Sequence, residues 1–198
     1  MLFDHEGSAE AFLPEYVQLL SGVDHEVRRV WASADDQVDP DAFASVDAVV
    51  VAGGPTPGYH ASLRPAYGAI RRLVEDGGSY LGLSAGAMIA PARAIIGGRR
   101  WMGADVCPEQ WSEGLQEVTV VDGIGLFPHP VEVHVGQAGT LGLLVALADS
   151  VVLPVLLGID EDTSVVLEPG AAWSRCGSGA VWEVRAEADS VMVRRHFH

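Results

Sequence analysis

The segment Gly82-Leu83-Ser84-Ala85-Gly86 sets one hydroxyl between two glycines, at the point where an apolar run reverses. A serine so flanked suits nucleophilic catalysis. A sharp turn forces it into unusual backbone angles, and glycines on either side remove Cβ atoms that would clash. A helix starting at Ala85 would aim its first amides at the site and favour a developing oxyanion. The Ala85 N–H is the natural first donor of an oxyanion hole. The second is expected from residues 52–58, Ala-Gly-Gly-Pro-Thr-Pro-Gly. Pro55 has no N–H, so Gly53 or Gly54 must donate, and Gly54 is favoured. The competing reading is a Gly-Ser turn that serves only the backbone. A phosphate-binding loop is weaker, because the Gly-x-Gly-x-x-Gly and Walker spacings are missing.

A serine nucleophile needs a base, and the base needs an orienting carboxylate. There are seven histidines. His5 and His25 stand in polar segments, and His196 and His198 at the terminus. His60 follows the Gly-rich loop, where it could line a pocket. His129 sits between two prolines, as a turn residue does. His134 falls at the end of an apolar strand pattern, where sites of α/β proteins assemble. A packed histidine is the ordinary reading of such a position, and the elbow serine reverses it. For the acid, Asp160, Glu161 and Asp162 directly follow an apolar run. Three adjacent carboxylates repel one another unless a partner compensates. A solvated loop is one reading and a divalent cation site another, but no Asn or Gly stands at calcium-loop spacing. A histidine partner for one acid is better supported. In an extended segment Asp160 and Asp162 share one face and Glu161 takes the other.

The elements that must position these groups follow from periodicity. Residues 8–21 suit a helix with Ser8 as a cap, 26–32 a short strand, and 47–54 a buried strand ending in paired glycines. Residues 63–78 form an amphipathic pattern closed by glycine, 79–83 a strand and 85–93 a helix, so Ser84 stands at a strand-to-helix junction. Beyond it, 117–121 and 131–135 alternate as strands, 140–150 reads as a helix, 151–159 as extended, 164–170 as a strand and turn, and 180–197 as a closing β-hairpin. This order predicts an α/β fold: a mostly parallel sheet with helices on both faces. Only Met1 to Phe3 are left for an opening strand, so it is expected to be lost or very short. The length predicts one domain over residues 1–198.

Composition limits the partners. The net charge is −15, and the 12 basic residues are all arginine. Such a surface repels nucleic acid and anionic membranes and tolerates cationic ligands. An apolar share of 48% with 20% charged residues is that of a globular chain. Cys107 and Cys176 lack metal-ligand spacing and read as free thiols of a reducing compartment. The start has no basic and apolar pattern of a secretory signal, and the longest apolar run is broken by Asp149 and Pro154, so a cytoplasmic protein is expected.

Four segments carry a resemblance. Val-Val-Val-Ala-Gly-Gly-Pro-Thr, then Gly-Leu-Ser-Ala-Gly-Ala, then Gly-Ile-Gly-Leu-Phe-Pro-His-Pro-Val-Glu-Val-His, then Leu-Leu-Gly-Ile-Asp-Glu-Asp-Thr resemble the serine peptidase family of dipeptidase E and cyanophycinase. The likeness spans residues 45–170, and Gly-Ile-Asp-Glu-Asp-Thr is closest to the cyanophycinase branch. It implies a class I glutamine amidotransferase-like (flavodoxin-like) fold with serine in place of the cysteine nucleophile. The roles it implies are Ser84 as nucleophile, His134 as general base and Glu161 as acid, with no cofactor and no metal. The order Ser, His, Glu also differs from that of α/β-hydrolase esterases, where the acid precedes the histidine.

The departures concern substrate. Glu132-Val133 replace the Asp-Gln that precedes the histidine in cyanophycinases. The helix at 140–148 has none of the arginines with which the family holds acidic substrates. Pro55-Thr56 follow the Gly-Gly loop in place of the family's polar residue. Thr56 and Glu132 are therefore the candidate substrate-binding residues, and Arg93, Arg99 and Arg100 the candidates for a replacement anion site. The expected function is a serine hydrolase that cleaves an amide bond in a small peptide. The alternatives are a non-catalytic small-molecule-binding relative and an esterase or amidase with a non-peptide substrate. A homodimer is compatible with this reading.

Overall fold

The computed structural model describes residues 1–3, 9–22, 24, 26–33, 35–150, 153–168, 170 and 172–197. Ser8, His5, His25, His198 and residues 151–152 lie outside the described residues. The chain opens on β1 (Leu2–Phe3), followed by α1 (Ala9–Leu19) and β2 (Trp31–Ala32), which pairs parallel with β1. The opening strand is therefore present and two residues long. Residues 26–30, expected to belong to a strand, are not in one. Next come β3 (Ala48–Val51), α2 (Thr56–Leu63), α3 (Tyr67–Glu75) and β4 (Ser79–Gly82), with β4 parallel to β3. The Met1 ammonium donates to the Val50 carbonyl at 2.5 Å and Ala52 N–H to the Met1 carbonyl at 3.1 Å, which seats β1 against β3.

The helix expected over 63–78 is shorter, since Leu63 closes α2 and only Tyr67–Glu75 form α3. Arg64–Ala66 form a 3₁₀ turn between α2 and α3. Pro65 cannot donate an amide, so the helix breaks and restarts at Tyr67. The helix after Ser84 is also shorter than expected: α4 is Ala85–Ile89, and residues 93–95 instead form β5 (Arg93–Ile95). The hairpin β6 (Arg100–Trp101) and β7 (Ala104–Asp105) follows, then β8 (Val120–Asp122), antiparallel to β5.

The last third holds β9 (Val131–Val133), α5 (Val135–Ala138), α6 (Leu141–Asp149) and β10 (Val155–Ile159). Two antiparallel pairs close it, β11 (Thr163–Val166) with β12 (Ser174–Gly177), and the hairpin of β13 (Val181–Ala186) with β14 (Val191–His196). One sheet runs β14-β13-β10-β9, with β10 parallel to β9 and antiparallel to β13. The mostly parallel sheet is a correction. Among the described residues three strand pairs are parallel and five antiparallel, and sheets other than this one have two strands each. The fold is a mixed α/β one. β-hairpin and meander connections, not crossovers, supply much of the pairing.

Packing explains why β10 reads as a continuous apolar run. Leu156 packs with Leu143, Leu144 and Leu147 of α6, whereas Leu157 and Ile159 pack with Met88 of α4 and with Val131 and Val133 of β9. Alternate side chains thus meet a separate cluster on each face. Full burial of one such leucine contributes about 1.5–3 kcal/mol, so both faces of β10 stabilise the strand that ends at Asp160. A third cluster joins Val49 and Val51 of β3 to Tyr59, Leu63, Ile70 and Ile89 and fixes α4 against β3. No helix among the described residues is long and apolar enough to cross a membrane.

Candidate active site

Ser84 joins β4 to α4 with φ 50° and ψ −112°. That region is sparsely populated by residues with a Cβ and costs on the order of 1–3 kcal/mol. The two glycines show what holds the corner there. A Cβ on Gly82 would lie 2.6 Å from the Gly86 carbonyl carbon, and one on Gly86 would strike the Val51 carbonyl of β3. Both contacts are with backbone, which cannot move aside. The elbow therefore needs glycine at both positions, and the close packing of α4 on β3 over-determines the strained serine.

His134 follows β9 and has φ 56°, a left-handed conformation that turns the chain into α5. Its Nε2 lies 3.0 Å from Ser84 Oγ, so the hydroxyl can donate to an imidazole unprotonated at Nε2. Nδ1 faces Glu161, whose Oε1 is 3.4 Å away. This pair is longer than a good hydrogen bond, and Nδ1 has no other partner among the described residues. The Glu161 side chain is half-exposed, and its backbone N–H donates to Gln137 Oε1 at 3.1 Å.

The alternation expected for the three neighbouring acids does not hold, because β10 ends at Ile159 and Glu161 and Asp162 lie together in an exposed turn. Asp160 is buried and structural: Oδ1 accepts from Gly136 N–H and from Trp182 Nε1–H, each at 2.8 Å, and Oδ2 accepts from Ala180 N–H at 3.2 Å. Asp162 is exposed at a positive-φ turn. Only Glu161 faces the imidazole.

At the serine's other side, no acceptor among the described residues meets the Ala85 or Gly54 amides. The Gly53 N–H instead donates to the Tyr16 hydroxyl of α1 at 3.1 Å. The Gly53 amide is therefore engaged within the protein. A Cβ on Gly53 would sit 3.3 Å from Ser84 Cβ, so this loop lies directly against the serine.

The other described histidines, His60, His129 and His196, are engaged elsewhere. His60 Nδ1 lies 3.1 Å from the Tyr67 hydroxyl, and burial lowers its pKa. His129 packs edge-on against Phe127, and burial lowers its pKa too. The arginines considered for anion binding are paired: Arg93 with Asp122 at 2.7 Å, Arg99 with Asp105 at 2.8 Å, and Arg100 with Asp105 at 3.5 Å. Each of the three faces a surface acid.

No protein-family model matches the chain, and no relative among curated proteins does. The chain has the fold of a crystallised peptidase. That peptidase comes from an acI-B1 Actinobacterium and superposes with a TM-score of 0.66 over 98% of this chain and 79% of its own, at 18% identity. A peptidase E candidate of Listeria monocytogenes EGD-e is a looser match, with a TM-score of 0.46 over 98% of this chain and 85% of its own, at 16% identity.

The two residues expected to touch substrate are both buried. The Thr56 hydroxyl donates to Glu113 Oε1 at 2.9 Å and so is engaged within the protein. Glu132, on the strand leading to His134, is 6% exposed. Its carboxyl is pushed up to about 8, first by burial and then by the neighbouring Glu113. Sequence reasoning passed over the loop that brings Glu113 and Trp111 here. The Trp111 ring lies 5.6 Å from the His134 ring, tilted by 33°. An aromatic followed two residues later by an acid, in a segment without periodicity, was the available signal.

Proposed function

We propose that the protein is a serine hydrolase that cleaves an amide bond in a small peptide through an acyl-enzyme. The observation that carries this reading is the 3.0 Å approach of Ser84 Oγ to His134 Nε2 at a strained elbow. His134 takes the Ser84 proton as the oxygen attacks the carbonyl carbon. The Gly54 and Ala85 amides receive the oxyanion. The same imidazole protonates the leaving amine and then activates water to release the acid. Glu161 holds the imidazole with its proton on Nδ1 and balances the cation that forms. The frame is read as class I glutamine amidotransferase-like, closest to the cyanophycinase branch of the dipeptidase E family. The peptidase fold shared with the actinobacterial protein supports the hydrolase reading.

A second reading, a binding protein without catalysis, is favoured by one observation: the Glu161–His134 pair is 3.4 Å apart and Nδ1 lacks a hydrogen-bond partner. A fluorophosphonate probe separates the two. Covalent labelling at Ser84, lost in Ser84→Ala, is expected. Absence of labelling across pH 6–9 would favour the binding protein. A dipeptide library scored by released amine, run beside simple esters, then distinguishes a peptidase from an esterase.

A further inference from the structure

Tyr16 belongs to α1, a helix that barely enters the core. Its inward side chains, Leu13 and Tyr16, pack on the buried pair Leu2 and Ala52, while Phe12, Val17 and Leu19 are exposed. Yet the Tyr16 hydroxyl reaches the loop beside Ser84, where it accepts from the Gly53 N–H at 3.1 Å. A Cβ built on Gly53 would lie 3.6 Å from the Tyr16 hydroxyl, 3.8 Å from Ser84 Oγ and 3.3 Å from Ser84 Cβ. Tyr16 and Ser84 thus border the same face of Gly53. Tyr59, fully buried, donates its hydroxyl to the Gly53 carbonyl at 3.4 Å, a longer contact.

Both contacts bear on the next residue. The Gly53 carbonyl and the Gly54 N–H share one planar trans peptide and point in opposite directions. What sets the carbonyl therefore sets the Gly54 amide. Two successive glycines leave a loop unusually free to turn. Gly54 is also exposed, at φ 150°, so packing does not hold it. Tyr16 anchors the amide on one side of the Gly53 Cα, and Tyr59 the carbonyl on the other.

We infer that Tyr16 is a positioning residue of the hydrolase: its hydroxyl fixes Gly53 so that the Gly54 amide is aimed at the oxyanion before the reaction starts. The inference rests on the reading of Gly54 as an oxyanion donor. Preorganised donors stabilise a transition state because they need not turn as charge develops. Loss of a whole donor costs about 10²–10³ in kcat. Loss of its orientation costs less, on the order of tenfold.

The test is Tyr16→Phe in the full chain, which keeps the ring on Leu2 and Ala52 and removes only the hydroxyl. Wild type and variant react with a fluorophosphonate probe, whose phosphoryl oxygen stands for the oxyanion. The rate of inactivation, kinact, is separated from the binding constant, KI. Exchange of the Gly53 amide hydrogen is followed by NMR. In Tyr16→Phe, kinact should fall about tenfold with KI unchanged, and the Gly53 amide should exchange at least about tenfold faster. A tyrosine that only packs would leave kinact and KI where they are. Unchanged kinact, a weaker KI in place of a slower kinact, or an unchanged Gly53 exchange overturns the positioning role. So does a Tyr16→Phe chain that melts far below the wild type. Labelling of the wild type is read first. Without it the hydrolase reading falls, and this role with it. Equal labelling of wild type and Tyr16→Phe removes the role of Tyr16 alone.

Discussion

The Asp160 carboxylate is tied to Gly136, two residues beyond His134, by a 2.8 Å hydrogen bond from the Gly136 amide. The same oxygen accepts from Trp182, and its partner oxygen from Ala180. One buried acid thus joins the start of α5, which directly follows the histidine, to the ends of β10 and β13. Removing it leaves three donors without an acceptor, at about 1–3 kcal/mol for each that water cannot reach. Asp160→Ala is expected to lose about 3 kcal/mol or more in urea denaturation. Asp160→Asn should lose less, because one acceptor oxygen remains. A variant as stable as the wild type would show that Asp160 is not the clamp.

Ser84 stores strain that glycine would relieve. At φ 50° and ψ −112°, serine and alanine are both penalised and glycine is not. Ser84→Gly and Ser84→Ala should both abolish probe labelling and hydrolysis, the loss reaching several orders of magnitude. They should differ in stability, with Ser84→Gly the more stable by about 1 kcal/mol or more. Two melting curves suffice. Equal stabilities would mean that the corner relaxes in solution.

The elbow was legible in the sequence because its requirement is steric and local: the Gly82 and Gly86 contacts are with backbone a few residues away or one strand over. The choice of Glu161 over Asp160 came from the family resemblance and not from alternation, since Glu161 and Asp162 lie in a turn where side chains do not alternate. Helix α2 was not legible. Thr56-Pro57-Gly58 reads as loop, yet Pro57 falls in the first turn, where its missing amide costs nothing. Glu113 and Trp111 were hidden for a different reason. They sit in a segment whose place is set by tertiary contacts with Thr56 and His134, and no period in the sequence reports those.

Burial of Glu132 should make stability depend on pH. Its folded pKa is raised from 4.5 to about 8, so between these values the folded chain holds a proton that the unfolded chain has lost. Stability contributed by this group is then greatest at low pH and falls as pH rises toward 8. Comparing wild type with Glu132→Gln cancels the other titrating groups. The wild type should lose up to about 1.4 kcal/mol per pH unit relative to the variant between pH 5 and 8. Denaturation at three pH values measures this. A constant difference would place the Glu132 carboxyl in contact with water or a cation.

The acid of the triad is open to a sharper test, because its neighbours supply internal controls. Glu161 Oε1 is 3.4 Å from His134 Nδ1, and the side chain is half-exposed. Asp162 is one residue away and carries the same charge, but it points to solvent. If Glu161 acted only through the local negative potential, neutralising either residue would slow the reaction equally, and salt would mimic the effect. If it holds the tautomer with the proton on Nδ1, only Glu161→Gln matters, since the amide can present its N–H to Nδ1 and stabilise the wrong tautomer. The expected result is a fall of about 10²–10⁴ in kcat for Glu161→Gln, little change in KM, and less than twofold for Asp162→Asn. Nitrogen NMR of His134 should show the tautomer change in Glu161→Gln alone. Equal losses in the two variants, or a Glu161→Gln enzyme with wild-type kcat, would remove Glu161 from the triad while leaving Ser84 and His134 as a dyad.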